Sequence, residues 1–333
     1  MAARISVLVP CFNDGAYLAD AIASVRAQTC QDFEIVIVDD GSTDPATRSA
    51  VDALAGPGVR VLRTANRGLP AARNHAAAHA SGGIFCALDA DDRLAPEWFE
   101  KALAVLDSRP DVSFVSHWLE TFGDERWTWT PERCDLPSLL ARNAVNGAAL
   151  VRREAFEQAG GYDETMREGC EDWDFWLRLV ERGHQGHIIP EVLFFYRRRA
   201  ESMSRVMLDE AAYRRPLQTL VTKHADAYRE HLVEVLVAKE REALHLSHEI
   251  AELERKRLIE LEPQLRRARE EHAAMEAKRA RGRQTRQKAA ALEHLTWKTG
   301  ELEREVRELR ASWSWRITAP LRWLFERFGG GAR

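Results

Sequence analysis

The sequence predicts an α/β fold with a mostly parallel sheet, followed by a long α-helical stalk. Two observations predict the sheet: short apolar runs alternate with segments of helical periodicity over the first hundred residues, and acidic residues follow two of these runs. The stalk is predicted by a third observation, because apolar residues recur at alternating steps of four and three after about residue 228.

Four apolar runs predict the first strands, and helical patterns separate them. The first run ends at Pro10, and Asn13 or Asp14 can cap the helix that follows it. An alanine-rich helix, expected over residues 70–80, precedes the fourth run. Strands that alternate with helices form βαβ units, so parallel pairing is expected. The predicted strands are 5–10, 33–38, 59–62 and 84–88.

Composition narrows the class of protein. A chain of 333 residues with 45% hydrophobic residues can form about two domains, and a net charge of -4 gives no reason to expect nucleic acid as a partner. Five cysteines without metal-type or disulfide-type spacing favour a reducing cytosol. We expect no signal peptide and no apolar run of about 20 residues that could span a bilayer. The predicted location is therefore cytoplasmic, or peripheral on a membrane.

Acidic residues stand where open α/β sheets bind ligands, at the carboxyl ends of strands. Asp39 and Asp40 follow the second predicted strand, and Asp89 and Asp91 follow the fourth. The sequence has neither G-x-G-x-x-G after its first strand nor the P-loop pattern. Carboxylates can accept hydrogen bonds from a base or ribose at one strand end and hold a divalent cation at the other. Arg73 adds a bidentate donor suited to a diphosphate, or is an exposed helix charge.

Several motifs occur in a defined order along the chain. Four lie in roughly the first hundred residues: SVLVPCFN (6–13), VDDGSTD (38–44), NRGLPAARN (66–74) and LDADD (88–92). Three more follow: NGAALV (146–151), GGYDE (160–164) and EDWDFW (171–176). This order resembles the glycosyltransferases of family 2, which have the GT-A fold, and the last three motifs resemble their acceptor half. The resemblance implies a mixed, mostly parallel sheet flanked by helices over residues 1–225.

The resemblance implies transfer of a sugar from a nucleoside diphosphate sugar to an acceptor hydroxyl, usually with inversion. A divalent metal, Mg2+ or Mn2+, suits the negative charge that develops on the leaving diphosphate. By similarity Asp91 is the first metal ligand, and Asp89 lies near the ribose or the metal. Asp92 is either a second ligand or the cap of a helix expected from Leu94 onward.

The same resemblance assigns the nucleotide site. Asp39 would face the base and Asp40 the ribose, while the backbone around Pro10 and Phe12 would shelter the nucleotide. Arg73 would meet the phosphates.

The acceptor hydroxyl requires a general base, and the resemblance implies Asp172, with Glu171 beside it. From the residues alone, the N-cap of the helix that follows is the favoured role of Asp172, and the upstream motifs reverse that preference. The chain departs from the family pattern at Arg199, which stands where members often have a histidine near the metal or diphosphate. Arginine cannot ligate a metal but can neutralise phosphate charge, so the resemblance leaves the metal's ligand set open.

The stalk is predicted as a coiled coil over residues 230–311. Its register slips near Pro263, where a kink or a new helix is expected, and a basic segment at 277–288 weakens the seam. One such helix cannot bury its seam alone, so self-association or a helical partner is expected.

Residues 312–333 differ again, because three tryptophans interleave with arginines within 312–328. This pattern fits an amphipathic helix, either in a membrane interface or docked on a protein surface. The tail also resembles those that follow coiled coils in bacterial surface-polysaccharide transferases, which favours the membrane.

Together these features predict an enzyme that adds a sugar to a glycan acceptor, expected to be lipid-linked, on the cytoplasmic face of a bacterial membrane. An alternative function is a coiled-coil scaffold of a polysaccharide assembly complex, whose transferase-like domain binds nucleotide sugar without turnover.

Overall fold

The computed structural model describes residues 3–199, 210–280 and 286–311 of the chain. The chain divides into two compact units, Met1–Leu236 and Val237–Arg333. The amphipathic helix expected at 312–333 lies outside the described residues, as does part of the basic segment at 277–288. The membrane or protein contact predicted for that tail therefore stays a prediction.

One sheet of nine strands forms within the described residues of the first unit. Its strand order is β3-β2-β1-β4-β8-β6-β9-β5, and β7 pairs with β6. The strands are β1 (Ile5–Cys11), β2 (Phe33–Asp39), β3 (Val59–Arg63), β4 (Ile84–Ala87), β5 (Arg93–Leu94), β6 (Val112–Gly123), β7 (Thr128–Trp129), β8 (Leu150–Arg152) and β9 (Gln185–Arg198).

Parallel pairing joins the four strands that the sequence predicts, and it also joins β6 to β9. The antiparallel pairs are shorter and involve β5, β7 and β8. The mixed, mostly parallel sheet is thus confirmed. The predicted strands agree with the observed ones to within a residue at each end. The runs that form β1 and β4 are buried throughout and that of β2 is mostly buried, as expected for parallel strands covered on both faces, whereas β3 is only partly buried.

Helices cover both faces of this sheet. In the first unit they are α1 (Gly15–Arg26), α2 (Pro45–Leu54), α3 (Leu69–His79), α4 (Trp98–Ser108), α5 (Leu136–Ala141), α6 (Arg153–Ala159), α7 (Glu171–Glu181), α8 (Glu210–Lys223) and α9 (Ala225–Glu230). One core layer packs α1 and α4 against the sheet, and the other packs α3, α6 and α7. Small alanine side chains let α3 approach the strands closely.

One expectation about a helix start is wrong. No helix begins at Leu94, which lies in β5, and α4 begins only at Trp98. Neither Asp91 nor Asp92 therefore caps a helix. Asp14 does stand at the N-cap position of α1, as one of the two expected residues, although its side chain makes no capping hydrogen bond. The Asn13 side chain accepts from the backbone N–H groups of Thr43 and Asp44.

The second unit is built from α10 (Leu232–Ala280), which begins just before it, and α11 (Arg286–Ala311). Leu258, Leu261, Leu265 and Ala268 of α10 are buried with Leu302 and Val306 of α11. α10 continues through Pro263, so no new helix begins there. The chain's own second helix thus covers part of the predicted seam. Among the described helices, none is both long and apolar enough to cross a membrane.

Candidate functional site

The carboxyl ends of β1, β2 and β4 meet at one edge of the sheet. In the parallel register Cys11 of β1 lies beside Asp39 of β2, and Leu8 lies beside Ala87 of β4. The acidic residues that follow β2 and β4 are therefore brought to the same edge, as the sequence predicts.

Asp40 is buried and uses both carboxylate oxygens on the loop that leads into α3. Its Oδ1 accepts from the Thr64 hydroxyl (2.8 Å) and the Arg67 N–H (3.0 Å), and its Oδ2 accepts from the Gly68 N–H (2.8 Å). Gly41 has a φ of +77°, and a Cβ there would lie 2.6 Å from the backbone nitrogen of Asn66. Only glycine lets the turn after Asp40 approach this loop so closely.

The neighbouring acid, Asp39, has a different environment. Its Oδ1 accepts from the Ser42 N–H at 2.9 Å, and its Oδ2 lies 3.7 Å from Arg63 Nε. Across from it, Pro10 is buried within β1, whereas Phe12 is 43% exposed just beyond the strand. An exposed aromatic ring beside a strand-end carboxylate is suited to a planar ligand.

Arg73 is the centre of the site and is only 3% exposed. Its Nη2 donates to Asp89 Oδ1 at 2.8 Å, its Nη1 donates to Glu171 Oε1 at 2.8 Å, and its guanidinium lies over the ring of Tyr162. A Cβ at Gly147 would lie 3.4 Å from Nη2, so this side of Arg73 is closely packed. Arg73 is therefore no exposed helix charge. It joins the end of β4 to the start of α7.

Asp172 lies in the first turn of α7 and not at its N-cap, which is Cys170 with a left-handed φ of 62°. The N-cap alternative for Asp172 is therefore wrong. The Oδ2 of Asp172 accepts from Asn143 Nδ2 at 3.2 Å, and its Oδ1 accepts from the N–H of Trp173 at 2.7 Å. These two bonds orient the carboxylate of Asp172 beside that of Glu171.

Burial raises the pKa values of both carboxyls at the start of α7. The pKa of Glu171 rises to about 7 because it is buried and lies beside Asp172, although Arg73 opposes the rise. Burial also raises the pKa of Asp172, again against the effect of Arg73. A carboxylate with a raised pKa is a stronger base than an exposed one, so the pair can accept a proton.

A second charged cluster fixes α7 one turn further along. Asp174 is fully buried and accepts from Arg178 Nε (2.7 Å) and Lys223 Nζ (2.6 Å), and it lies 3.2 Å from His224 Nε2. The bonds from these groups hold the pKa of Asp174 far below its usual range. His224 also reaches Glu181 at 2.8 Å. The cluster holds α7, and with it Asp172, against the end of α8.

Asp91 is paired with an arginine. Arg199 Nη2 donates to Asp91 Oδ2 at 2.7 Å, its Nη1 donates to Asp14 Oδ1 at 2.9 Å, and its guanidinium lies over the Tyr17 ring. Burial raises the pKa of Asp91 to about 6, and repulsion from Asp89 makes the next largest contribution. Arg199 opposes the rise. The structure thus brings together the two residues that sequence reasoning placed at the metal and the diphosphate.

Asp92 is buried and faces β9. Its Oδ1 accepts from the backbone N–H of Arg197 at 2.8 Å, while the Arg197 side chain donates to the Asp91 carbonyl. Asp92 therefore fixes the loop after β4 to β9, a role that neither of the expected alternatives included.

The side chains at this edge of the sheet determine which ligands a divalent cation could have. Among the described residues, no group of three or more His, Cys, Asp or Glu side chains could hold a metal ion. Asp89 and Asp91 are two carboxylates close in sequence, and each already binds a guanidinium. Mg2+ is commonly held by one or two carboxylates together with substrate phosphates. The donor set therefore fits a metal that arrives with a diphosphate, and it does not form an all-protein cage.

Sequence reasoning missed two residues of this edge. Asp14 was interpreted only as a helix cap, yet it shares Arg199 with Asp91. Asn143 carried no local signal, since its loop reaches Asp172 only through the packing of α5 against α7. For Asp14 a signal existed: it follows a buried strand at the same edge as the other acids.

Comparison with protein families adds independent information. The model described as "Glycosyl transferase family 2" matches residues 6–162, and "Glycosyltransferase like family 2" matches residues 133–245. The chain is 28% identical over 214 residues to the putative glycosyltransferase EpsE of Bacillus subtilis, covering 61% of this chain and 76% of EpsE. It is 30% identical over 186 residues to an uncharacterized glycosyltransferase of Haemophilus influenzae, covering 53% of this chain and 62% of that protein.

Solved structures share the fold. TarS 1–349 of S. aureus in complex with UDP-GlcNAc aligns with a TM-score of 0.59 and 17% identity over 71% of each chain. TarS itself aligns with a TM-score of 0.55 over 71% of this chain and 42% of that one. At 17% identity these likenesses concern the fold alone, and they confirm the expected fold class.

Proposed function

The chain belongs to glycosyl transferase family 2, and from that premise we propose that it transfers a sugar, with inversion, from a nucleoside diphosphate sugar to an acceptor hydroxyl. One observation carries the proposal: Arg73 bonds at once to Asp89 after β4 and to Glu171, the neighbour of Asp172. A single buried guanidinium thus links the donor side of the sheet edge to the carboxyl pair that can accept a proton.

Asp172 is the general base of the proposed reaction. Its carboxylate takes the proton of the acceptor hydroxyl while the hydroxyl oxygen bonds to the anomeric carbon. The bond from that carbon to the diphosphate oxygen breaks, and the nucleoside diphosphate leaves with the electron pair. Glu171 positions this base, because Arg73 holds its carboxylate and it directly precedes Asp172 in the first turn of α7.

The donor lies over the carboxyl ends of β1 and β2 in this proposal. Phe12 and the backbone near Pro10 contact the nucleotide, and Asp39 faces the base. Asp40 was expected on the ribose side, but both of its oxygens hold the loop before α3, so we assign it to positioning that loop. The diphosphate reaches Arg199, whose planar guanidinium suits paired phosphate oxygens.

A divalent cation, Mg2+ or Mn2+, would be held by Asp91 and Asp89 together with diphosphate oxygens. Bound there, it would neutralise negative charge on the leaving group. The Arg199 guanidinium pairs with the carboxylate of Asp91, so this chain has a second positive group that could neutralise the charge of the leaving diphosphate.

We propose a glycan acceptor, lipid-linked and belonging to bacterial surface-polysaccharide synthesis, which would bring the enzyme to the inner face of the cytoplasmic membrane. A second candidate function, a scaffold that binds nucleotide sugar without turnover, is favoured by the ion pair between Arg199 and Asp91 at the expected metal position.

A screen of nucleoside diphosphate sugars distinguishes the two functions. The full chain is tested with each donor for a rise in melting temperature and for release of nucleoside diphosphate, with Mg2+, with Mn2+ and with chelator. The proposed enzyme gives both signals with at least one donor. A rise in melting temperature without any release, even with glycan acceptors present, would favour the scaffold, and the absence of both signals would contradict donor binding.

A further inference from the structure

Three residues at steps of three form a row at the start of α1. Asp14 is the N-cap of this helix, and Tyr17 and Asp20 lie in its first two turns. Residues three apart are neighbours on the surface of a helix, so an aromatic ring stands between two acids. The row begins just after β1, at the edge of the sheet where the acids of the candidate site meet.

The end of β9 presents two arginines to one side of the strand. Successive side chains of an extended chain point to opposite faces, so Arg197 and Arg199 share a face that Arg198 does not. Arg198 instead pairs with Glu125 at 3.2 Å.

The row on α1 and the two arginines contact each other along their length. Arg199 Nη1 donates to Asp14 Oδ1 at 2.9 Å, and Arg197 Nη2 donates to Asp20 Oδ2 at 3.2 Å. The centroid of the Tyr17 ring lies 4.7 Å from Arg199 Cζ and 4.6 Å from Arg197 Cζ. Each acid thus bonds to one arginine, and the ring between the acids stacks on both.

The contact of Arg199 with the ring differs in kind from its contacts with carboxylates. Asp14 and Asp91 bind Arg199 through its N–H groups, which are also the groups that phosphate oxygens accept from. An aromatic ring attracts a guanidinium through the face of its π-system and uses none of its N–H groups. Tyr17 therefore holds Arg199 by a contact that a bound diphosphate does not have to displace.

Holding Arg199 before a ligand arrives should strengthen binding. An arginine side chain has many rotamers, and ordering such a side chain during binding lowers the affinity. Here Tyr17 is half-buried, and the Arg199 side chain is 25% exposed between the ring and its two carboxylates. The guanidinium is therefore ordered without a ligand.

A second aromatic ring offers a matched comparison. The ring of Phe122 in β6 lies 4.4 Å from Arg197 Cζ and 4.0 Å from Arg93 Cζ. Both Phe122 and Tyr17 thus stack on Arg197. Within the described part of the chain, however, the ring that stacks on Arg199 is that of Tyr17.

We propose that Tyr17 is a positioning residue for the donor diphosphate. Its ring holds the Arg199 guanidinium so that the N–H groups in the plane of the guanidinium bind the phosphate oxygens. This role rests on the proposed function, in which the diphosphate reaches Arg199. A nucleoside monophosphate lacks the second phosphate, so the effect of Tyr17 is confined to the diphosphate.

Calorimetric titration of the full chain tests this role. With Mg2+ present, UDP, GDP, ADP, CDP and dTDP are compared, and the one that binds is then compared with its monophosphate. Tyr17→Leu should weaken diphosphate binding about three- to tenfold, the range expected for loss of a partly buried cation–π contact, and change monophosphate binding less than about twofold. Tyr17→Phe keeps the ring and should weaken diphosphate binding less than Tyr17→Leu.

Two further variants separate positioning from a general effect on the fold. Phe122→Leu removes a ring from Arg197 but not from Arg199, so the ratio of diphosphate to monophosphate affinity should change less than about twofold. In an Arg199→Gln chain the ring has no guanidinium to hold, and adding Tyr17→Leu should leave that ratio unchanged. Thermal unfolding checks that each variant is folded, and Tyr17→Met repeats the test if Tyr17→Leu is not.

The outcomes distinguish this role from the proposed function. If Tyr17→Leu weakens diphosphate and monophosphate equally, or Phe122→Leu reduces the ratio as much as Tyr17→Leu does, the positioning role is overturned and the donor site is retained. If the wild type binds none of the five diphosphates, or binds the diphosphate no more tightly than the monophosphate, the proposed donor site is contradicted and the inference with it.

Discussion

Replacing Arg73 by methionine tests whether this residue compensates the carboxylates at the sheet edge. Methionine fills a similar volume but leaves Asp89 and Glu171 without their shared guanidinium. Removing one partner of a buried ion pair costs about 3–5 kcal/mol, because the remaining charge has no partner. At about 2–4 °C per kcal/mol for a unit of this size, we expect the melting temperature to fall by about 6–20 °C.

The matched control is Arg67→Met. Arg67 also pairs with a glutamate, Glu164, but both side chains are more than a third exposed, and such a pair contributes about 0–1 kcal/mol. Thermal unfolding of the two variants, followed by tryptophan fluorescence, compares a buried ion pair with an exposed one. Equal losses from Arg73→Met and Arg67→Met would refute the reasoning.

A double substitution separates charge from packing. Adding Glu171→Gln to Arg73→Met removes one of the uncompensated carboxylates, so the double variant should be more stable than Arg73→Met alone. A double variant whose losses are simply additive would mean that Arg73 contributes packing rather than charge.

Two further predictions follow from the carboxyls of the site. Glu171 binds its proton more tightly in the folded chain than in the unfolded chain, because its pKa rises from 4.5 to about 7. Its contribution to stability is therefore fully present below about pH 4.5 and is lost as the pH rises through about 7. Over this range the melting temperature should fall less steeply in Glu171→Gln than in the wild type. Arg199→His restores the residue common in the family, and Mn2+ titration with a nucleoside diphosphate should give tighter metal binding than in the wild type, because imidazole ligates metals and guanidinium does not. Unchanged Mn2+ affinity would contradict the second prediction. The first would be contradicted if the melting temperatures of Glu171→Gln and the wild type fell equally steeply with rising pH.

The sheet edge was predictable from sequence because its signals are local. Each strand is a short apolar run, Asp39 is the last residue of β2, and Asp89 lies two residues after β4. Parallel pairing of neighbouring strands is then enough to bring these acids together. The roles of individual acids were less predictable, since one residue along the loop turns Asp92 towards β9 and Asp91 towards Arg199.

The contacts that make the edge a site are not local. Arg73 and Glu171 are 98 positions apart, and Asp14 and Arg199 are 185 apart. No periodicity or capping pattern in the sequence predicts such pairs, because they form only when α7 and β9 pack against the rest of the sheet. The family resemblance placed Arg73 near phosphates, but it carried no signal that this side chain is buried between two carboxylates.

The central claim is that Asp172 takes the acceptor's proton while other residues bind the donor. Asp172→Asn keeps the shape of the side chain and can still bond to Asn143, but it cannot accept the proton. With the donor identified by screening, we expect donor affinity to change less than about threefold and turnover to fall by about 10²–10⁴, the usual contribution of general base catalysis. Asp111→Asn, at an exposed pair with Arg109, should change neither quantity. Turnover within a few-fold of the wild type in Asp172→Asn would contradict the account.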